Sequence, residues 1–222
     1  MNEIIPAIPA ASWDELSEKL GALHGDAPWF QIDVCDGMFV QTRSWPLNPE
    51  DRTQFSKLVS GEEGLPYWQD FNFEVDLMVH SPEKYLTSWI SVGVQRAVIH
   101  LESQHDWTLI KEAAGESIEL GLAIDLDPPY EKLSAYLPRV EYLQIMGIAK
   151  LGKQGTDPDD RVYALIEKVR SDFPDVTIQI DGGVTLENAK ALLDAGADRL
   201  IVGSRIVKAA SPKDAYRNFV AL

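Results

Sequence analysis

The sequence predicts an α/β protein, an eight-stranded parallel (β/α)8 TIM barrel, on three observations. Short apolar strand-like runs alternate with longer amphipathic stretches, the alternation persists from end to end, and about eight such units fit within the 222 residues. Alternating units bury a parallel sheet on both faces, which is the layout of a barrel with its helices outside. A doubly wound open sheet is the alternative that the same alternation allows.

The elements follow in order. A strand over Glu3–Ala7 leads to a helix over Trp13–Leu23, with Ser12 placed as its N-cap. A strand over Trp29–Asp33 leads to a helix over Pro49–Leu58, and a strand over Phe73–Val79 to one over Pro82–Val92, which opens on a proline suited to a first turn. Arg96–His100 precedes Trp107–Leu120, Leu122–Asp125 precedes Tyr130–Leu137, and Tyr142–Met146 precedes Asp159–Phe173. Thr177–Asp181 leads to Leu186–Ala195, capped by Thr185 and stopped by Gly196; Arg199–Val202 leads to Pro212–Val220, again opening on proline. GEEGLPYWQD, residues 61–70, is the one poorly patterned stretch and reads as a loop. With no linker or low-complexity tract, residues 1–222 are expected to form a single domain.

Composition narrows the partners. A formal charge of −15 and a pI near 4.6 argue against nucleic acid and anionic membrane, both of which select a basic footprint. Cys35 is the sole cysteine, so no intrachain disulfide forms. Neither a signal peptide nor an apolar run long enough to span a bilayer is seen, and the expected location is cytoplasmic.

In such a barrel chemistry sits at the carboxyl ends of the strands. Here those ends carry Gln31 and Asp33, Asp76, His100 and Glu102, Asp125, Gln144 and Asp181. In FQID and FEVDLM the period of two puts Gln31, Asp33, Glu74 and Asp76 on the face opposite Phe30, Ile32, Val75 and Leu77. The apolar set then faces the helices and the polar set the barrel axis. Any one such acid is as well explained as a loop cap; Asp33, Asp76 and Asp181 together point to a site. Late in the chain IDGGV (180–184) and VGSRI (202–206) each follow a strand. Gly182, Gly183, Gly203 and Ser204 there suit a phosphate grip, because glycine lets backbone N–H groups approach the oxygens. A tight turn is the plainer explanation of either loop alone.

The stretches IIPAIPAAS, IDVCDGMFV, EVDLMVHSPEKYL, HLES, GLAIDLDP, YLQIMGI and IQIDGGVTLENAKALLDAGADRLIVGSRI occur in this order over nearly the whole length. In them the chain resembles the ribulose-phosphate 3-epimerase family. It is less similar to the orotidine and hexulose phosphate decarboxylases, whose Asp-x-Lys-x-x-Asp signature needs a lysine that DVCD lacks. The resemblance implies 1,1-proton transfer on a small-molecule sugar phosphate, a ketose phosphate, with Asp33 and Asp181 as the two acids. It implies phosphate and substrate contacts from Gly152, Gly182, Gly183, Gly203 and Ser204, with Met78 and Met146 packing on the intermediate. It also implies a divalent metal held at Gln31, Asp33, Asp76 and Asp181, no organic cofactor, and homo-oligomer formation.

The same comparison exposes departures. Gln31 and Asp76 stand where the family has metal-binding histidines, Ala10 where it has a serine, and Cys35 where it has a third methionine. An oxygen-only ligand set favours Mg2+ or Mn2+ over Zn2+. The family's glycine-rich loop after strand six becomes AKLGKQG (149–155), in which Lys150 or Lys153 are candidates for the phosphate. Cys35 has no basic partner in view and is expected to pack; His100 and Glu102 are expected near the mouth in supporting roles. Two functions stay open: an altered epimerase, and a sugar-phosphate-binding barrel that has lost the epimerase metal site and is non-catalytic or differently catalytic.

Overall fold

A computed structural model describes residues 3–148 and 159–222 and closes eight parallel strands into a barrel in sequence order, β1 pairing with both β2 and β8. Closure excludes the open doubly wound sheet. The chain packs as two compact units, one running from Ala7 to Leu120 and the other from Gly121 to Leu222 with the first residues of the chain.

The Ala7–Leu120 unit holds the last three residues of β1 (Glu3–Pro9), then α1 (Trp13–Ala22), β2 (Trp29–Cys35), α2 (Arg52–Ser60), β3 (Asn72–Met78), α3 (Glu83–Val92), β4 (Arg96–His100) and α4 (Trp107–Ala114). Ser12 caps α1 by accepting from the Glu15 N–H, and Leu16 and Leu20, four apart, are the buried stripe. α2 and α3 stop at Gly61 and Gly93, both left-handed. Phe30, Ile32, Phe73, Val75 and Leu77 are buried, and so are Gln31, Glu74 and Asp76 on the alternate positions. The register sets Gln31 against Glu74 and Asp33 against Asp76. The polar residues of the two strands therefore share one face, as the period of two requires.

α4 is shorter than the sequence predicts: it ends at Ala114, and β5 (Glu119–Ile124) already starts where the helix was expected to continue. Gly115 takes a φ of +52° and breaks the turn, and Asp125 falls one residue beyond the strand. In the second unit α5 (Tyr130–Tyr136), β6 (Tyr142–Met146), α6 (Arg161–Asp172), β7 (Thr177–Asp181), α7 (Leu186–Asp194) and β8 (Arg199–Val202) follow, then a four-residue helix α8 (Ser204–Val207) that the sequence did not suggest, and α9 (Pro212–Val220). Thr185 caps α7 within a complete capping box, its partner being Asn188. Gln179 donates to Gln144 at 2.7 Å, and both are buried, so these two interior amides are joined to each other.

Candidate active site

The ends of β2 and β3 set the first two acids side by side. Asp33 is half-buried and accepts from Gln31 Nε2 at 3.1 Å; Asp76 is fully buried and its Oδ1 lies 2.8 Å from His100 Nε2, itself fully buried at the end of β4. Burial foremost, then the neighbouring Asp76 carboxylate, pushes Asp33 up to about 7, against the opposing pull of the Gln31 bond and the Lys19 charge. Asp181 ends β7, and one carboxylate oxygen from each of Asp33, Asp76 and Asp181 lies within 4.8 Å of the other two. Three of the expected site residues are thus brought together as one acidic triad. Gln31 lies two residues before Asp33 on the same face and turns its amide nitrogen to it.

Asp36, in contrast, belongs to the loops. One of its oxygens accepts from the Met38 and Phe39 N–H groups at 2.7 and 2.9 Å, and the other from the His80 N–H at 2.7 Å. It ties the loop after β2 to the loop after β3, which sets the Phe39 ring 5.1 Å from the imidazole of His100. Cys35 is buried, and burial with the surrounding carboxylates of Asp33, Asp76 and Asp36 raises its thiol far above the ordinary range. The expectation that it packs is met, since a thiol so disfavoured as thiolate is a poor nucleophile. Glu102 is exposed, on the turn after β4.

Lys19 is the residue sequence reasoning missed. Its Nζ donates to the Pro9 carbonyl at 2.6 Å and pairs with Glu15 at 2.6 Å, while Glu15 also accepts from the Ala11 N–H. The pair thus frames the turn that carries Ala10, next to Pro9, which ends β1 in register with Asp33. The i,i+4 spacing of Glu15 and Lys19 just after the first strand was its one visible signal.

At the far end of the chain Gly182 and Gly183 take φ of +98° and +72°, and Asn188 Nδ2 holds the Gly183 carbonyl at 2.8 Å. The glycines that the sequence read as a phosphate loop are therefore also required by backbone geometry. Gly203 precedes Ser204 at the start of α8, and both are half-buried. Met78 and Met146 are buried at the ends of β3 and β6, Met146 in register with Asp181. Gly152, Lys150 and Lys153 lie outside the described residues.

An eight-stranded parallel barrel with an acidic triad at the carboxyl ends of its strands has the layout of a barrel enzyme. The model of the ribulose-phosphate 3-epimerase family matches residues 3–207, and the chain belongs to that family. Ribulose-phosphate 3-epimerases from Candida glabrata and Schizosaccharomyces pombe are 28% and 24% identical to it, over 95% and 96% of this chain and 88% and 90% of theirs. The one from Eremothecium gossypii is 30% identical over 86% of this chain and 80% of its own. Among solved structures, 3-hexulose-6-phosphate synthase from Salmonella typhimurium shares the fold, with a TM-score of 0.71, 16% identity and coverage of 100% of this chain and 97% of that one. Among the described residues no helix is long and apolar enough to cross a membrane.

Proposed function

We propose that the protein epimerises a ketose phosphate at the carbon beside its carbonyl, with Asp33 and Asp181 as the proton-transferring pair. The observation that carries this reading is the meeting of three carboxylates at strand ends in a member of an epimerase family. Inversion needs one group to remove the proton and a second to return one to the other face of a planar enediolate, and two carboxylates from separate strands meet that need. An Asp33 raised to about 7 takes up and releases a proton near neutral pH, where an ordinary aspartate stays ionised. Gly182, Gly183, Gly203 and Ser204 hold the phosphate through backbone N–H groups, and Met78 and Met146 cover the carbon skeleton.

The donor set fits a divalent cation. At 4.8 Å two ionised carboxylates repel by about 3.5 kcal/mol at an effective dielectric near 20, and each of the three acids has two such neighbours. Asp33, Asp76 and Asp181 would hold the ion, with Gln31 as an added oxygen donor once its amide turns over. Hard oxygen ligands select Mg2+ or Mn2+. When bound, such an ion supplies Lewis-acid stabilisation of enediolate oxygens.

A second reading, sugar-phosphate binding without epimerisation, is favoured by one observation: Gln31, at a histidine position of the family, gives its amide nitrogen to Asp33. Incubating a panel of pentulose and hexulose phosphates with the protein and Mn2+ in D2O separates the two. The epimerase predicts exchange of the proton beside the carbonyl in at least one ketose phosphate, and a loss of at least about a hundredfold in Asp181→Asn. Binding of inorganic phosphate with no exchange anywhere in the panel leaves the second reading.

A further inference from the structure

We infer that His100 is a positioning residue for Asp76, holding its carboxylate in the orientation a cation requires. This rests on the metal reading proposed above. Position 76 carries an aspartate, whose carboxylate, unlike a ring nitrogen, is free to rotate about its terminal torsion. A carboxylate at the barrel axis needs something to fix its plane. His100 supplies it from the neighbouring strand: β3 and β4 are paired, the Nε2–Oδ1 distance is 2.8 Å, and both side chains have no solvent exposure. In this role Nε2 is the donor and Asp76 Oδ1 the acceptor, which places the imidazole proton on Nε2.

The imidazole is itself held. The Phe39 ring lies 5.1 Å from it, and Phe39 is placed by its N–H bond to Asp36, which reaches over to the His80 N–H. A chain of contacts therefore runs from the loop after β2 through Phe39 and His100 to Asp76. Hydrogen-bonded partners behind a ligand orient it and strengthen its hold, and their removal commonly weakens metal binding ten- to a hundredfold. The role assigned to His100 differs from that of a metal ligand, because its near nitrogen is already given to Asp76.

The test is Mn2+ binding to chelator-stripped protein, read by calorimetry and by the Mn2+ electron paramagnetic resonance spectrum. In His100→Gln an amide nitrogen still reaches Asp76, and in His100→Asn the shorter side chain does not. The Asn variant is expected to bind Mn2+ at least about tenfold more weakly than the parent, with an altered spectrum, and the Gln variant to recover most of the affinity. His100→Leu should behave as the Asn variant; if it does not fold, the Gln and Asn pair decides. Equal Mn2+ affinity in the parent and the Asn variant overturns the assignment while leaving the metal site standing. A parent that binds neither Mn2+ nor Mg2+ overturns both.

Discussion

Asp36 accepts three backbone N–H groups from two loops, whereas Asp33, three residues earlier, faces other carboxylates and is driven toward protonation. One short segment, IDVCDG, so contains an acid that ties two loops together and one that faces other carboxylates, and the difference lies in what surrounds each. Asp36→Ala leaves three N–H groups without their acceptor, and its loss should cost about 2–4 kcal/mol in urea unfolding, since bonds to a charged acceptor are among the stronger ones. Asp36→Asn keeps one acceptor oxygen and should recover part of that. Cys35, between the two acids, should resist alkylation: iodoacetamide at pH 8 is expected to label it only after denaturation, as followed by intact mass. Rapid labelling of the native chain would mean that the strand end opens in solution.

At the scale of elements, the eight strands and most helices were legible because their signals are local: a period of two, caps at Ser12 and Thr185, and a glycine after α7. The end of α4 was not, because residues 115–120 continue an amphipathic pattern and only Gly115, with its positive φ, reveals the break. Likewise the strand-end acids could be read from sequence, since every strand end of a barrel points the same way. The His100–Asp76 and Lys19–Pro9 bonds could not, since they depend on register and helix placement. Gly147 illustrates a glycine set by packing: a Cβ there would collide with the Gly182 carbonyl oxygen, while the Gly147 N–H donates to the Asp181 carbonyl at 2.7 Å. β6 and β7 thus meet closely where Asp181 stands. Gly147→Ala should destabilise the protein by about 1–3 kcal/mol as an overpacked site and displace Asp181. Thr185→Ala, which removes one half of the α7 capping box, should cost about 1 kcal/mol. Chemical denaturation measures both, and only the first should also reduce deuterium exchange at a saturating ketose phosphate.

For the molecule as a whole, the acidic triad links pH to stability, and on the proposed metal reading it links a cation to both. Burial and the Asp76 carboxylate push Asp33 up to about 7 in the folded protein from the ordinary aspartate value of 3.8 that holds when unfolded, so between those values the folded state binds more protons. Stability of the metal-free protein must then fall as pH rises from about 4 to about 7, and it levels off once both states are ionised. Exposed ion pairs such as Arg161 with Asp159, whose carboxyl is lowered to about 2, act in a separate and more acid window. A divalent cation competes with the proton for the same oxygens, so Mn2+ should raise the melting temperature strongly at pH 8 and weakly at pH 5. At a free concentration about a hundredfold above Kd the gain is about 2.7 kcal/mol. Asp33→Asn should remove the pH slope in metal-free protein, because the neutral amide does not titrate, and Asp76→Ala should remove most of the response to Mn2+. Scanning calorimetry from pH 4 to 8, with EDTA and with Mn2+, reads all of these at once. A melting temperature that rises through this range without metal would place Asp33 among ordinary ionised aspartates, and one that ignores Mn2+ at pH 8 would remove the cation from the triad.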